Sequence, residues 1–437
     1  MTTDNKTFCG GSPTWANACV GENGQPSYWE YAKGYSQAAN LLIDIVLTDQ
    51  NSEYSVDEII YPVCFNMRHS IELRLKGATS ELALIEKLRR TQFSFDTNGS
   101  HDIGNIWDFF RTKSESIDDR YVAINARLQP MIYDFAQVDP TGQTFRYPTD
   151  IASQKHLVEV AIINFVNLKQ RFSTLESILD ELHHLNDYLC EEYGTKTITN
   201  NLSRKKIFLI ARMLPHHNQW KDPLFSTQRE QIKSVFNIGS NELSASINII
   251  KLHFEFAPLI GISPQLLGLK DQDIMETFRN WLKIHPLAHQ DKPKKIAEKN
   301  ISAHDMIPAW IKDAEDQKVI WQEIEPILTP DILAGLQALF YLDPTYDFSE
   351  NYSRIYEGHL RENIACLKRS QDEFRANFFH VLEKTNFARN VLKSLYFLKK
   401  NDTAEILVAT YKLENHFPQL DTARSGAYFK KADYRGC

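Results

Sequence analysis

Residues 61–78, YPVCFNMRHSIELRLKGA, set an arginine, a histidine, a glutamate and a lysine between apolar residues. At 3.6 residues per turn, Arg68, Glu72 and Lys76 fall four apart on one helix face, with His69 beside them. Such a group has two chemistries. As a surface ladder, each Glu–cation pair contributes roughly 0.2–0.5 kcal/mol. As a site, it gathers a carboxylate and cations able to move a proton or hold a phosphate.

A second polar group follows a loop. SHDIGNIW, 100–107, opens a helix with His101 and Asp102, placing a carboxylate near the positive end of the helix dipole. FRYP, 145–148, presents Arg146 between two aromatic residues, a pattern suited to a phosphate or a base. Taken together, these residues either form a ligand-binding cluster or tie the 94–100 loop to a helical core. The combination "RHSIELRLKGA", loop, "HDI..W", then "FRYP" and a long helix resembles the HEPN superfamily over about residues 28–195. The resemblance implies a helical bundle, often dimeric, found in bacterial RNA-cleaving toxins and antiphage defence proteins. It also implies RNA or nucleotide as partner and metal-independent cleavage where an arginine and a histidine lie four to six residues apart. No pair with that spacing lies within 28–195. Pairs that do are Arg212/His217, Arg279/His285, Arg354/His359 and Arg375/His380. Arg279 and His285 are the candidate catalytic pair, because a polar residue, Asn280, follows the arginine. Six residues on a helix is about 600° of rotation, so their convergence requires a frayed end, which Pro286 favours.

Two other readings use the same residues differently. His69, His101–Asp102 and Asp150 have the residue types of an HD-type metal phosphohydrolase. The 229–254 segment reads as helix, tight turn at 237–239, helix, like a helix-turn-helix module, although its second helix offers one basic residue, Lys251. A non-catalytic HEPN-like dimerisation module is the alternative to an RNA-directed enzyme. No Walker loop, no dinucleotide fingerprint and no paired-cysteine metal motif occurs, so no metal site and no cofactor is expected.

The elements that position these residues read as helices throughout. Apolar residues recur at steps of three and four in almost every long segment, and no alternating strand run is present. Ser27–Glu30 and Ser55–Glu58 read as capping boxes. Tyr31, Tyr35, Ala38, Leu42 and Ile45 mark one apolar face. Cys64, Met67, Ile71, Leu75, Ala78, Leu82 and Ile85 mark another, after Pro62, which is expected to kink or split its helix. Further helices are expected at 101–111 and 115–137. A long helix is expected from about 152, with Leu168, Phe172, Leu175, Leu179, Leu182 and Leu189 in near-heptad steps. The expected organisation is an all-α, multi-domain chain: a flexible tail, 1–27; a HEPN-like bundle, 28–195; a helical domain, 196–292; and a C-terminal helical domain, 293–437, the last boundary resting on the lysines and prolines of 291–295.

Composition bounds the partners. The 437 residues are 43% hydrophobic and 24% charged, with net charge −7 and a pI of about 6.1, which excludes a globally basic nucleic-acid coat but allows a local basic groove. No apolar run of spanning length and no signal-peptide plan occurs, so no membrane partner and a cytoplasmic location are expected.

Overall fold

The computed structural model describes residues 5–48, 54–89, 100–150, 152–287, 303–342 and 348–429. The chain divides into two compact units, Met1–Lys196 and Thr197–Cys437. The described residues form α-helices and short 3-10 turns with no β-strand, only an isolated bridge between Thr149 and Lys155. No helix among them is long and apolar enough to cross a membrane.

The first unit holds α1 (Tyr28–Thr48), α2 (Val56–Arg89), α3 (Ile103–Ile117), α4 (Tyr121–Val138) and α5 (Phe165–Gly194). Helix α2 is its axis and packs against α1, α3 and α5. Its stripe from Cys64 through Ile85 is buried as the three-and-four spacing requires, and Arg68, Glu72, Arg74, Lys76 and Glu86 are buried with it. Pro62 sits early in α2, which runs on through it as one helix. Helix α1 is anchored by Ser27, whose backbone amide donates to the Glu30 carboxylate at 2.7 Å.

The face that α1 buries differs from the expected one. Ala32, Ser36, Ala39 and Ile43 point inward, while Tyr31 and Ile45 are exposed. Small residues on this face let the two backbones approach closely. Ser36 and Ser70 share a 2.7 Å hydrogen bond, and a Cβ at Gly77 would lie 3.1 Å from Tyr28 Cβ. The helix expected from 152 begins at Phe165 instead. Asn164 caps it by accepting from the Asn167 amide, and 152–164 is irregular, with Leu157 at φ +58°. The segment expected as a loop, 94–100, lies outside the described residues except for Ser100.

The second unit holds α6 (Arg204–Met213), α7 (Pro223–Phe236), α8 (Ser240–Leu252), α9 (Asp271–Ile284), α10 (Ala303–Ile324), α11 (Pro330–Tyr341), α12 (Asn351–Arg369), α13 (Gln371–Leu382), α14 (Phe387–Phe397), α15 (Asn401–Tyr411) and α16 (Leu420–Arg424). The expected hairpin is α7, Asn237 in the left-handed region, then α8. Helices α6–α8 share one apolar cluster around Ile207, Ile210, Leu243 and Ile250. Helix α9 belongs to another, with α10–α16: Trp281 is fully buried there and its Nε1 donates to the Lys384 carbonyl at 3.0 Å. A division into domains at 292/293 would therefore split a shared apolar core. The 291–295 segment itself lies outside the described residues.

Burial along α2 yields a direct test. Leu75→Ala removes a fully buried side chain and is expected to cost about 2–5 kcal/mol in urea unfolding, whereas Leu84→Ala, at a half-exposed position of the same helix, is expected to cost under about 0.5 kcal/mol.

Candidate nucleotide-binding cleft

The charged residues of α2 fold into a hub rather than a surface ladder. Arg68 is only 2% exposed and spends its guanidinium on three backbone carbonyls and one carboxylate. Its Nε donates to the Asp139 carbonyl at 3.2 Å, and its Nη2 donates to the Pro140 carbonyl at 2.7 Å and to that of His101. Nη1 pairs with Glu72. Glu72 also takes Lys76 Nζ at 3.0 Å and His101 Nδ1 at 2.9 Å, with His69 Nδ1 at 3.7 Å. Burial pushes the Glu72 carboxyl up, but the bonds from His69, His101 and Lys76 and the charge of Arg68 outweigh it and hold it well below the usual carboxylate range. Asp102 stays outside this group; its carboxylate caps α3 by accepting from the Asn105 amide at 3.0 Å.

This hub fixes the segment after α4. Gly142 has φ +79°, and a Cβ there would lie 3.0 Å from Arg68 Nη1. Asp139 turns the segment back by accepting from the Thr144 amide at 3.1 Å, and Phe145 is buried behind it. Arg146 is thereby delivered to the surface. Its guanidinium lies 5.2 Å from the Tyr147 ring and 5.7 Å from Phe65, and Nη2 donates to Tyr147 OH at 3.1 Å. Phe65 also stacks with His69, at 5.7 Å, so the hub and Arg146 share an aromatic neighbour.

Beside Arg146 lies a cleft of about 950 Å³. The bridge from Thr149 to Lys155 and the bond from the His156 amide to the Pro148 carbonyl hold Lys155 and His156 against Pro148 and Thr149 as one wall. Arg146, Lys155 and His156 line the cleft, with Asp57 the one carboxylate among the described residues, and Tyr61 and Tyr147 present half-exposed rings. His156 Nε2 is buried with no hydrogen-bond partner among the described residues. Three basic groups against one carboxylate, with aromatic faces alongside, suit an anionic ligand carrying a planar ring. Lys155 and His156 escape a sequence reading because they lie in no motif; Arg146 and Tyr147 lie in FRYP, and Tyr61 opens the 61–78 stretch without a signal of its own.

The other expected sites are placed differently. Arg279 is half-exposed on α9 and pairs with Glu276 and, at 3.5 Å, with Glu323, so its surroundings are acidic. His285 ends α9 with its ring 5.1 Å from that of Trp281, and burial lowers its pKa despite nearby carbonyls of Leu382 and Glu383. Neither residue lines the cleft. His69, His101, Asp102 and Asp150 do not assemble as metal ligands: both histidines face Glu72, and Asp150 accepts from the Gln154 amide at 2.9 Å.

The chain matches no protein-family model, no curated protein and no solved structure.

The hub predicts an acid-dependent stability. The Glu72 carboxyl titrates lower in the folded chain than the roughly 4.3 of an unfolded glutamate. Its contribution is therefore complete above that value and is lost as pH falls through the folded one. Glu72→Gln is expected to lower unfolding stability by about 3–5 kcal/mol at pH 7, because it leaves Arg68 buried without its anion. Denaturant unfolding of the variant is also expected to show a weaker loss of stability on acidification than the wild type.

Proposed function

We propose that the N-terminal unit binds the phosphate and base of a nucleotide or of single-stranded RNA in the cleft beside Arg146. The observation that carries this reading is the convergence of Arg146, Lys155 and His156 on one cavity with Tyr61 and Tyr147 at hand. Arg146 supplies a planar donor fork to a phosphate and Lys155 a point charge. A tyrosine ring offers the stacking surface. The cavity volume is within the range of small-molecule sites. The resemblance of residues 28–195 to HEPN domains supports the same ligand class and, with it, a role in bacterial defence or stress. Arg279 and His285 have no part in this reading, which is one of recognition rather than cleavage.

A second reading, a dimerisation module, is favoured by the outer face of α1. Tyr31 and Leu41 are more than half exposed there, and Ile45 is 41% exposed.

Titration of fluorescent ATP and of a labelled single-stranded RNA into the purified chain, read by anisotropy, tests the first reading. Saturable binding that weakens as salt rises is expected, with Arg146→Ala and Lys155→Ala each lowering affinity about tenfold or more. Absence of binding to both probes, or affinity indifferent to both substitutions, would sink it. Light scattering that shows a dimer dissociated by Leu41→Asp would then support the second.

A further inference from the structure

A second cavity, of about 320 Å³, adjoins the Arg146 cleft, and its wall is mainly apolar. Met131, Phe135 and Val138 of α4 line it, with Leu168 of α5 and Cys64 of α2. Burial pushes the Cys64 thiol up to about 12, so it stays uncharged there. Asp134 and Arg171 stand on the same wall, both exposed, and pair with each other at 2.6 Å. The remaining polar lining is Asn164 and Asn167, which are joined in the cap of α5. The volume falls within the range of small-molecule sites, and the lining favours hydrocarbon over a polar group.

The two cavities share a border. Phe145, Val160, Ile162, Ile163 and Asn164 line both. Phe145 immediately precedes Arg146, so the cation of the cleft stands one residue from the apolar wall of its neighbour. Helix α2 is divided in the same way: Ile60 and Tyr61 line the cleft, and Cys64, about one turn on, lines the groove. The segment between the cavities, LVEVAII at 157–163, keeps apolar side chains in water: Val158 is 80% exposed and Ile162 is 89% exposed. Apolar surface left open around two adjoining cavities is of the kind that marks a ligand groove. Charge is divided across the border. The cleft holds Arg146 and Lys155, while the groove holds one arginine already paired with a carboxylate. Cations on one side and hydrocarbon on the other match an amphiphile with an anionic head.

We infer that the ligand of this unit is a nucleotide whose phosphate carries an apolar chain, with the phosphate at Arg146 and the chain in the groove beyond Phe145. The inference rests on the nucleotide reading of the cleft and narrows it, because a bare RNA strand has nothing to fill the groove.

The test titrates the methyl, butyl and octyl phosphodiesters of AMP into the full chain by calorimetry, below their micellar concentrations. The three share one charge and one nucleoside and differ only in the chain. Affinity is expected to rise roughly threefold for each methylene the groove buries. Arg146→Ala is expected to weaken all three esters alike, by about tenfold. Leu168→Asp, at a position that lines the groove and not the cleft, is expected to flatten the series and to leave the affinity for the methyl ester in place. Far-UV circular dichroism checks that this variant is folded, and if it is not, the series on the unaltered chain still decides. Equal, saturable affinities for the three esters would overturn the inference and leave the nucleotide reading standing. A rise with chain length that persists in folded Leu168→Asp would place the chain elsewhere and overturn it too. Methyl octyl phosphate, which has the same charge and no nucleoside, separates the two ideas: if it binds as tightly as the octyl ester of AMP, or if no ester binds, both fall.

Discussion

A guanidinium buried at the centre of a helical bundle carries a desolvation cost of several kcal/mol, and the first unit is arranged to offset it. Arg68 meets that cost with three backbone carbonyls and one carboxylate, drawn from α2 itself, from the start of α3 and from the exit of α4. The carbonyl of His101 stands just before α3, and those of Asp139 and Pro140 stand just after α4. One side chain thus ties the start of α3 to the exit of α4, which the Ile103 amide also joins by donating to the Pro140 carbonyl at 3.0 Å. Glu72 balances the charge, and Lys76, His69 and His101 in turn surround Glu72. The binding surface inherits this order. Arg146 is aimed by a segment whose path is set at Asp139, Pro140 and Gly142, all against Arg68.

Electrostatics separates the roles of the other polar groups. Where arginine meets carboxylates in a dry setting, as at Arg68–Glu72, at Arg120 with Asp118 and Glu192, or at Arg204 with Glu255 and Glu350, each charge has an opposite one in ion-pair contact and the group serves the fold. Wherever charges of one sign gather without an internal counterpart, the surface has something left to bind. Among the described residues that line it, the Arg146 cleft sets two permanent cations, Arg146 and Lys155, against one carboxylate, Asp57. This sorting uses neutrality rather than residue type, and a list of motifs does not contain it.

Much of the helical class was legible in the spacing of apolar residues, because steps of three and four leave few alternatives. The buried stripe of α2 from Cys64 to Ile85 could be read directly. For α1 the larger residues, Tyr31 and Ile45, suggested the inner face, yet close backbone contact with α2 selects Ala32, Ser36 and Ala39; periodicity marks a helix but not which of two adjacent faces packs. The start of α5 was misplaced because 157–163, LVEVAII, is apolar enough to pass for a helix. The cap at Asn164 and the left-handed Leu157 are decided by tertiary context. The proximity of Arg68, Glu72 and Lys76 follows from four-residue steps. The bonds from Arg68 to main-chain carbonyls could not be read, since every residue has a carbonyl. Gly142 in DPTGQT is the one local trace of that contact.

The bond from Arg68 to Asp139 joins residues 71 positions apart. Closing a flexible loop of that length costs about 4 kcal/mol in chain entropy, more than a single hydrogen bond to a charged group returns. With the bond to Pro140 the return is comparable with that cost, so the contact fixes the register of a bundle that apolar packing of α2, α3 and α4 drives. The segment carrying Arg146 accordingly takes its path from that packing, and the cleft is only as well formed as the Arg68 contacts behind it.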